Sequence, residues 1–326
     1  MSQQIDKLNA VFIKVGAFDE ICCPESNVSL LLGSIYKIFY IAFLNWLNSI
    51  KMKKYIKFQN GSKVCRLGQG TWMMGRNKSK RNDEIAALQH GIELGMNLID
   101  TAELYENEEL VGEAIKEYRD RVFIVSKVMP SNADYRGTKR ACEQSLRRLK
   151  IDKIDLFLLH WIGKYPFEET VKAFQELEKE GKIGAWGVSN LDVRHMEHIE
   201  RISSPGECAT DQVLYNLKER GVEFDLIPWC AERNIPVMAY SPLGEGPLLN
   251  DKTLSKVAEK HSASPAQIAL AWSLRLPDII SIPKAGNISH VDDNFKSLSI
   301  ELTPEDLKEL DTAFPPPSGK IILKGW

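Results

Sequence analysis

The 326-residue chain lacks the usual marks of a metal site, a secreted scaffold or a nucleic-acid binder. Its six cysteines, Cys22, Cys23, Cys65, Cys142, Cys208 and Cys230, contain no Cys-x-x-Cys pair and share no metal-ligand spacing with histidine. No metal site is indicated, and the thiols are expected to be reduced, as in a cytoplasmic protein. Charge of one sign is also missing: the formal net charge is -2 and the basic residues are dispersed, which gives no electrostatic reason to expect nucleic acid. The glycine-rich stretch GQGTWMMG at 68–75 does not have the GxGxxG spacing of a Rossmann dinucleotide loop.

A clean membrane span is absent as well, although one long apolar run exists. Residues 28–50, VSLLLGSIYKIFYIAFLNWLNSI, are long enough to cross a bilayer at roughly 20 residues. Lys37 lies inside the run and Asn45 and Asn48 near its end, and a central lysine costs about 2.5–3.5 kcal/mol on insertion scales. No small-residue cleavage site precedes the lysines that follow, so the run is a poor cleaved signal. Residues 1–51 are therefore read as a hydrophobic extension, with three readings open. Met52 is the true first residue and the segment is spurious; or the segment is a membrane anchor or amphipathic surface helix, leaving the main domain cytoplasmic; or it is a packed accessory element.

What remains is ordinary for a globular protein, 44% hydrophobic and 26% charged, enough to bury a large core. From Met52 onward the signals are regular. Two short strand-like runs, 55–59 and 63–67, flank Asn60-Gly61, a strong hairpin signal. Strand-like and helix-like segments then alternate. They pair as 68–72 with 82–94, 97–101 with 106–118, 122–128 with 138–149, 154–161 with 167–180, 183–189 with 192–202, and 209–214 with 224–232. The last two pairs are 236–241 with 253–276 and 279–283 with 290–298, before a closing helix at 304–314. Continuous apolar strands such as DLFLL at 155–159 suit burial on both faces. The expected architecture over 52–326 is a (β/α)8 TIM barrel with an N-terminal β-hairpin.

In such a barrel, active sites are built at the C-terminal strand ends. Asp100 and Tyr105 follow the second strand, Lys127 lies near the end of the third, and His160 ends the fourth. Their chemistry is complementary. A tyrosine serves as a general acid near neutrality when its pKa, about 10 when free, is brought down, and Lys127 paired with Asp100 would do that. His160 would orient or polarise a carbonyl oxygen. Singly, Asp100 with Lys127 reads equally as a buried ion pair and His160 as a core histidine. The four together on one rim favour catalysis.

Here the sequence also resembles the aldo-keto reductases, over nearly all of 52–326. The motifs are GQGTW at 68–72, NLIDTAELYENEELVGEAI at 97–115, SLRRLKIDKIDLFLLHW at 145–161, GVSN at 187–190, DQVLYN at 211–216, AYSPLG at 239–244 and IPKAGN at 282–287. Bacterial reductases of the methylglyoxal-reducing type are especially similar. The resemblance implies hydride transfer from a reduced nicotinamide to a carbonyl carbon, with Tyr105 as general acid, Lys127 and Asp100 tuning it and His160 positioning the carbonyl. It implies that Ser189, Asn190 and Gln212 bond the nicotinamide carboxamide and that Tyr240 stacks on its ring. Ser241, Leu243 and Gly244 would hold the pyrophosphate, Lys284 the 2'-phosphate of NADP, and Asp293 and Asn294 the adenine. Read without the family, Asn190 is a helix N-cap and Tyr240 a core aromatic.

Three positions depart from the family pattern. Ala285 stands where Ser often follows the lysine, and His290 where Arg is common. An imidazole cannot supply a guanidinium's permanent, forked contact, so NADPH is expected with NADH possible. Asp211 stands where Asn is common. Trp72 and Trp161 match positions that wall the substrate pocket, with core packing as the alternative. The loop at 243–249 and the tail after Phe314 are short, which favours small aldehydes, methylglyoxal-like dicarbonyls or short keto compounds as substrates of a monomer. Two rivals are a cofactor-binding regulatory barrel with little turnover and a hydrolytic or isomerising barrel. The intact Asp, Tyr, Lys and His set speaks against the first, and the lack of a metal cluster or paired-carboxylate site against the second.

Overall fold

Asn60-Gly61 turns the chain as its residues require: Gly61 takes φ 86, a left-handed backbone that glycine adopts without steric cost. The turn joins β1 (Tyr55–Lys57) to β2 (Lys63–Cys65), antiparallel with Tyr55 opposite Cys65. These elements belong to a computed structural model that describes residues 54–323 apart from Glu245. The apolar run at 28–50 and the expectation for Met52 lie outside the described residues. Among the described residues, no helix is long and apolar enough to cross a membrane.

Eight further strands follow: β3 (Gln69–Gly70), β4 (Leu98–Asp100), β5 (Phe123–Val128), β6 (Leu156–Leu159), β7 (Trp186–Ser189), β8 (Cys208–Leu214), β9 (Val237–Tyr240) and β10 (Ile279–Ser281). They pair in parallel, in chain order, as one sheet. Parallel bridges from Leu67 to Ser281 and from Gly70 to Lys284 join the first strand to the last, so the sheet closes into the expected (β/α)8 barrel. Its interior is filled by Leu98, Val125, Leu156, Leu158, Met238 and Ile280. Phe58 and Val64 of the hairpin segment join that cluster, and Phe58 stacks on Phe123 with ring centres 5.2 Å apart. Phe123 is the first residue of β5. The hairpin therefore plugs the N-terminal mouth and leaves the opposite rim open for chemistry.

The seam between β3 and β10 is held with unusual care. Arg66, 2% exposed, donates from its guanidinium to the carbonyls of Leu274, Leu276 and Ile279. Gly70 donates to the Pro283 carbonyl at 3.0 Å, and a Cβ at Gly70 would lie 2.7 Å from the Ile282 carbonyl oxygen. Only glycine allows the two strands so close.

The helices α1 (Arg81–Leu94), α2 (Glu108–Ile115), α3 (Tyr135–Leu149), α4 (Phe167–Lys179), α5 (Val193–Ile202), α6 (Leu226–Glu232), α7 (Lys252–Lys260), α8 (Pro265–Ser273), α9 (Ile288–Lys296) and α10 (Pro304–Ala313) pack outside the strands. Two of them differ from expectation. The helix expected at 253–276 is two, because Ser262 turns left-handed at φ 49 and Ser264, Pro265 and Gln267 then form a capping box that starts α8 afresh. The helix expected at 106–118 runs only over Glu108–Ile115, since Glu106 at φ 58 cannot be its first turn.

Gly70→Ala is expected to destabilise the barrel by about 1–3 kcal/mol, through the overpacking of a backbone that has no side-chain atom to move aside. A urea unfolding midpoint equal to that of the native chain would show that the seam relaxes freely.

Candidate active site

The parallel sheet carries Asp100, the last residue of β4, and Lys127, near the end of β5, to one rim. Their side chains meet in the interior: Lys127 Nζ lies 2.7 Å from Asp100 Oδ1, with Lys127 0% and Asp100 2% exposed. The same ammonium donates to the Thr101 carbonyl at 2.8 Å and to the Tyr105 hydroxyl at 3.3 Å. An ammonium has three donors and no acceptor, so each of these contacts uses one proton. His160, after β6, lies beyond Tyr105 with ring centres 5.7 Å apart. The four expected residues therefore come together.

Their electrostatics follow from burial. Burial pulls the Lys127 ammonium down, but the charges and hydrogen bonds of Asp100 and Tyr105 outweigh it and hold the lysine above its ordinary value. Burial and then the charge of Lys127 push the His160 imidazole down to about 2, so it is neutral at working pH. The expected lowering of the Tyr105 phenol is corrected. Burial pushes it up, Lys127 pulls it down and Asp100 pushes it up again, and the net direction is upward. The phenol is consequently protonated at neutral pH.

The loop that carries Tyr105 is clamped by residues that carry little signal in sequence. The Glu103 carboxylate accepts from the Met129 amide at 3.0 Å and from the Asn132 side chain at 2.7 Å, tying the tyrosine's loop to the segment after β5. Buried Asn107 accepts from Thr101 Oγ1 at 2.7 Å and donates to the Thr71 carbonyl at 2.7 Å. Both sit inside the motif at 97–115, but their partners are mostly backbone atoms.

The expected cofactor residues occupy the next strand ends. Ser189 closes β7, and its hydroxyl donates to the Gln212 carbonyl at 2.7 Å. Asn190 follows at φ 63; its amide donates to Ser189 Oγ and to the His160 carbonyl, and its Oδ1 accepts from the Tyr240 hydroxyl at 2.9 Å. The helix N-cap is Asp192, not Asn190, and Tyr240 is only partly buried. Gln212 donates from Nε2 to Asp100 Oδ2 at 2.7 Å, so its amide reaches the buried Asp100–Lys127 pair. Ser241 (φ 47) and Gly244 (φ 57) shape the turn after β9, with Leu243 between them. Lys284, just past β10, is exposed and has no carboxylate partner among the described residues. Asp293 is engaged elsewhere: its carboxylate accepts from Ser264 Oγ and Gln267 Nε2, both at 2.7 Å. Asn294 is buried, Ala285 belongs to the buried cluster that includes Cys65 and Leu67, and His290 is exposed. Trp72 packs edge-on to Tyr105 at 4.8 Å, and half-buried Trp161 lies 4.6 Å from the His160 ring.

A closed (β/α)8 barrel with a phenol, an ammonium-carboxylate pair and a neutral imidazole on its C-terminal rim has the layout of a barrel enzyme that moves protons. The chain belongs to the aldo/keto reductase family, whose pattern matches residues 66–314. It is 47% identical to methylglyoxal reductase YeaE of Escherichia coli over 83% of this chain and 98% of that one. It is 35% identical to glyoxal reductase of Bacillus subtilis over 80% of this chain and 92% of that one. A crystal structure of an aldo-keto reductase from Klebsiella pneumoniae in complex with NADPH superposes with a TM-score of 0.82 at 45% identity, covering 84% of this chain and 99% of that one.

Asp211 is fully buried on β8, and neither carboxyl oxygen has a hydrogen-bond partner; the Leu191 and Asn190 amides face it without closing a bond. Burial pushes its pKa up to about 8. The folded chain thus holds a proton between about pH 4 and pH 8 that the unfolded chain has released, and stability falls as pH rises through that window. Asp211→Asn should remove this dependence, gaining on the native chain by up to about 1.4 kcal/mol per pH unit. Urea unfolding of both chains at acid and at mildly alkaline pH measures it; a constant difference between them would mean that Asp211 does not titrate there.

Proposed function

We propose that this chain reduces small aldehydes, ketones and 2-oxoaldehydes of the methylglyoxal kind to alcohols, with NADPH as the preferred reductant. The observation that carries the reading is the Tyr105 hydroxyl, 3.3 Å from a fully buried, carboxylate-paired ammonium. The methylglyoxal and glyoxal reductase relatives and the NADPH-bound neighbour support the substrate class and the cofactor.

The residues present fit a nicotinamide cofactor. Ser189, Asn190 and Gln212 offer a hydroxyl and two amides at adjoining strand ends, Tyr240 offers an aromatic face beside them, and Lys284 offers an ammonium without a carboxylate. Ser241, Leu243 and Gly244 form the turn that would meet the pyrophosphate, and Asn294 is the better adenine contact, since Asp293 is committed to α8. Lys284 favours the 2'-phosphate of NADPH, while His290 in place of a guanidinium leaves NADH usable.

Bound reduced nicotinamide supplies hydride to the carbonyl carbon. The chain does the rest. Neutral His160 directs a ring N–H at the carbonyl oxygen and Tyr105 donates its proton to that oxygen as charge develops. Lys127 stabilises the phenolate left behind, and Asp100 keeps the ammonium aimed. Trp72 and Trp161 wall the reacting group from water. The barrel works as a monomer in the cytoplasm on this reading.

Tyr105→Phe should lower kcat for methylglyoxal by about 100-fold or more, the usual worth of a general acid, while NADPH binding followed by fluorescence stays within a few fold. Undiminished turnover in that variant would remove Tyr105 from the mechanism. Lys284→Ala should weaken NADPH binding by about tenfold, a charge-assisted phosphate contact, and leave NADH binding nearly unaltered. Equal losses for the two cofactors would place the 2'-phosphate elsewhere.

A further inference from the structure

The turn between β3 and α1 is built more firmly than a connection requires. Met73 and Gly75 both take left-handed backbone, at φ 69 and φ 82, and for methionine that conformation is strained. Met74 between them is buried. The Met74 amide donates to the Thr71 carbonyl at 2.9 Å, and the Gly75 amide to the buried Glu84 carboxylate at 2.8 Å. The Met74 carbonyl accepts from buried Asn107 at 3.3 Å. A buried carboxylate and a buried amide are thus committed to a surface turn.

That turn presents Trp72 and Arg76, both exposed. The guanidinium carbon of Arg76 lies 5.0 Å from the centre of the Trp72 ring, and the same ring packs on Tyr105 at 4.8 Å. Taken end to end, these separations leave the guanidinium no more than about 10 Å from the phenol ring. Among the described residues Arg76 has no carboxylate and no hydrogen-bond partner. The neighbouring ammonium, Lys127, is already satisfied by Asp100. Stacking occupies a face of a guanidinium and leaves its rim of N–H donors open in a fixed fork, the complement of a carboxylate.

We propose that Arg76 is a specificity residue that binds a carboxylate on the substrate, so that the favoured substrates are small aldehydes carrying an acid group a few carbons from the carbonyl. This rests on the reductase reading above and narrows it. Trp72 then serves two purposes, walling the reacting carbonyl on the Tyr105 side and orienting the cation that holds the far end of the same molecule.

The test compares 4-carboxybenzaldehyde with benzaldehyde as substrates of the full chain with NADPH, in the native form and as Arg76→Met. The native chain should prefer the acid. Arg76→Met should lower the acid-to-neutral ratio of kcat/KM by about tenfold, mainly through KM for the acid, and added salt should lower it in the native chain. Equal losses for both aldehydes would overturn the proposal, since Arg76 would then merely prop Trp72. Weaker NADPH binding with an unchanged ratio would overturn it too, assigning the guanidinium to the cofactor. If the native chain reduces neither aldehyde, the reductase reading fails separately, and calorimetry with the NADPH-loaded chain decides on Arg76. Tighter binding of 4-carboxybenzyl alcohol than of benzyl alcohol, lost in Arg76→Met, supports the proposal; equal binding overturns it.

Discussion

The site depends on keeping one ammonium charged where no water reaches it. An isolated lysine in the interior would give up its proton, because burial disfavours the charged form. Lys127 keeps it because the side chain of Asp100, the carbonyl of Thr101 and the phenol of Tyr105 meet its three donors. The carboxylate is held in turn: Gln212 takes its second oxygen, and the Asp100 carbonyl accepts from Thr71. Such a pair is poor evidence for stability, since two charges lose hydration on burial. What it gives is direction. A permanently aimed positive charge stands beside a phenol, and it adds to the burial that keeps the adjacent imidazole uncharged.

Much of this was legible in the sequence, for identifiable reasons. Asn60-Gly61 specified the hairpin because few other residues tolerate that backbone. The parallel strands showed as short apolar runs because both faces are covered, and the strand ends then placed Asp100, Lys127 and His160 on one rim without reference to any relative. The division between α7 and α8 does not show in the apolar periodicity, although Ser264-Pro265-Ala266-Gln267 spells a helix start. Apolar residues continue on both sides of it, and periodicity outweighed the cap.

Other features had no sequence signal. Glu103 and Asn107 work largely on backbone amides and carbonyls, whose positions exist only after folding. The direction of the Tyr105 shift turned on burial exceeding the pull of a neighbouring charge, a contest of magnitudes that residue identities do not settle. Asp211 could be seen as a departure from the family pattern, yet only its enclosure without a hydrogen-bond partner shows why it matters.

The seam at Gly70 and Lys284 ties the earliest part of the barrel to nearly the latest. During synthesis, β3 through β9 emerge with their neighbours beside them, but this junction waits until the chain has passed residue 284. A nascent chain therefore spends most of its elongation with an open sheet edge at Leu67 and Gly70, and the lysine that bridges to that edge arrives only after all the other strands. Closure of the circle therefore separates chains that have grown past residue 284 from shorter ones, which keep both sheet edges open.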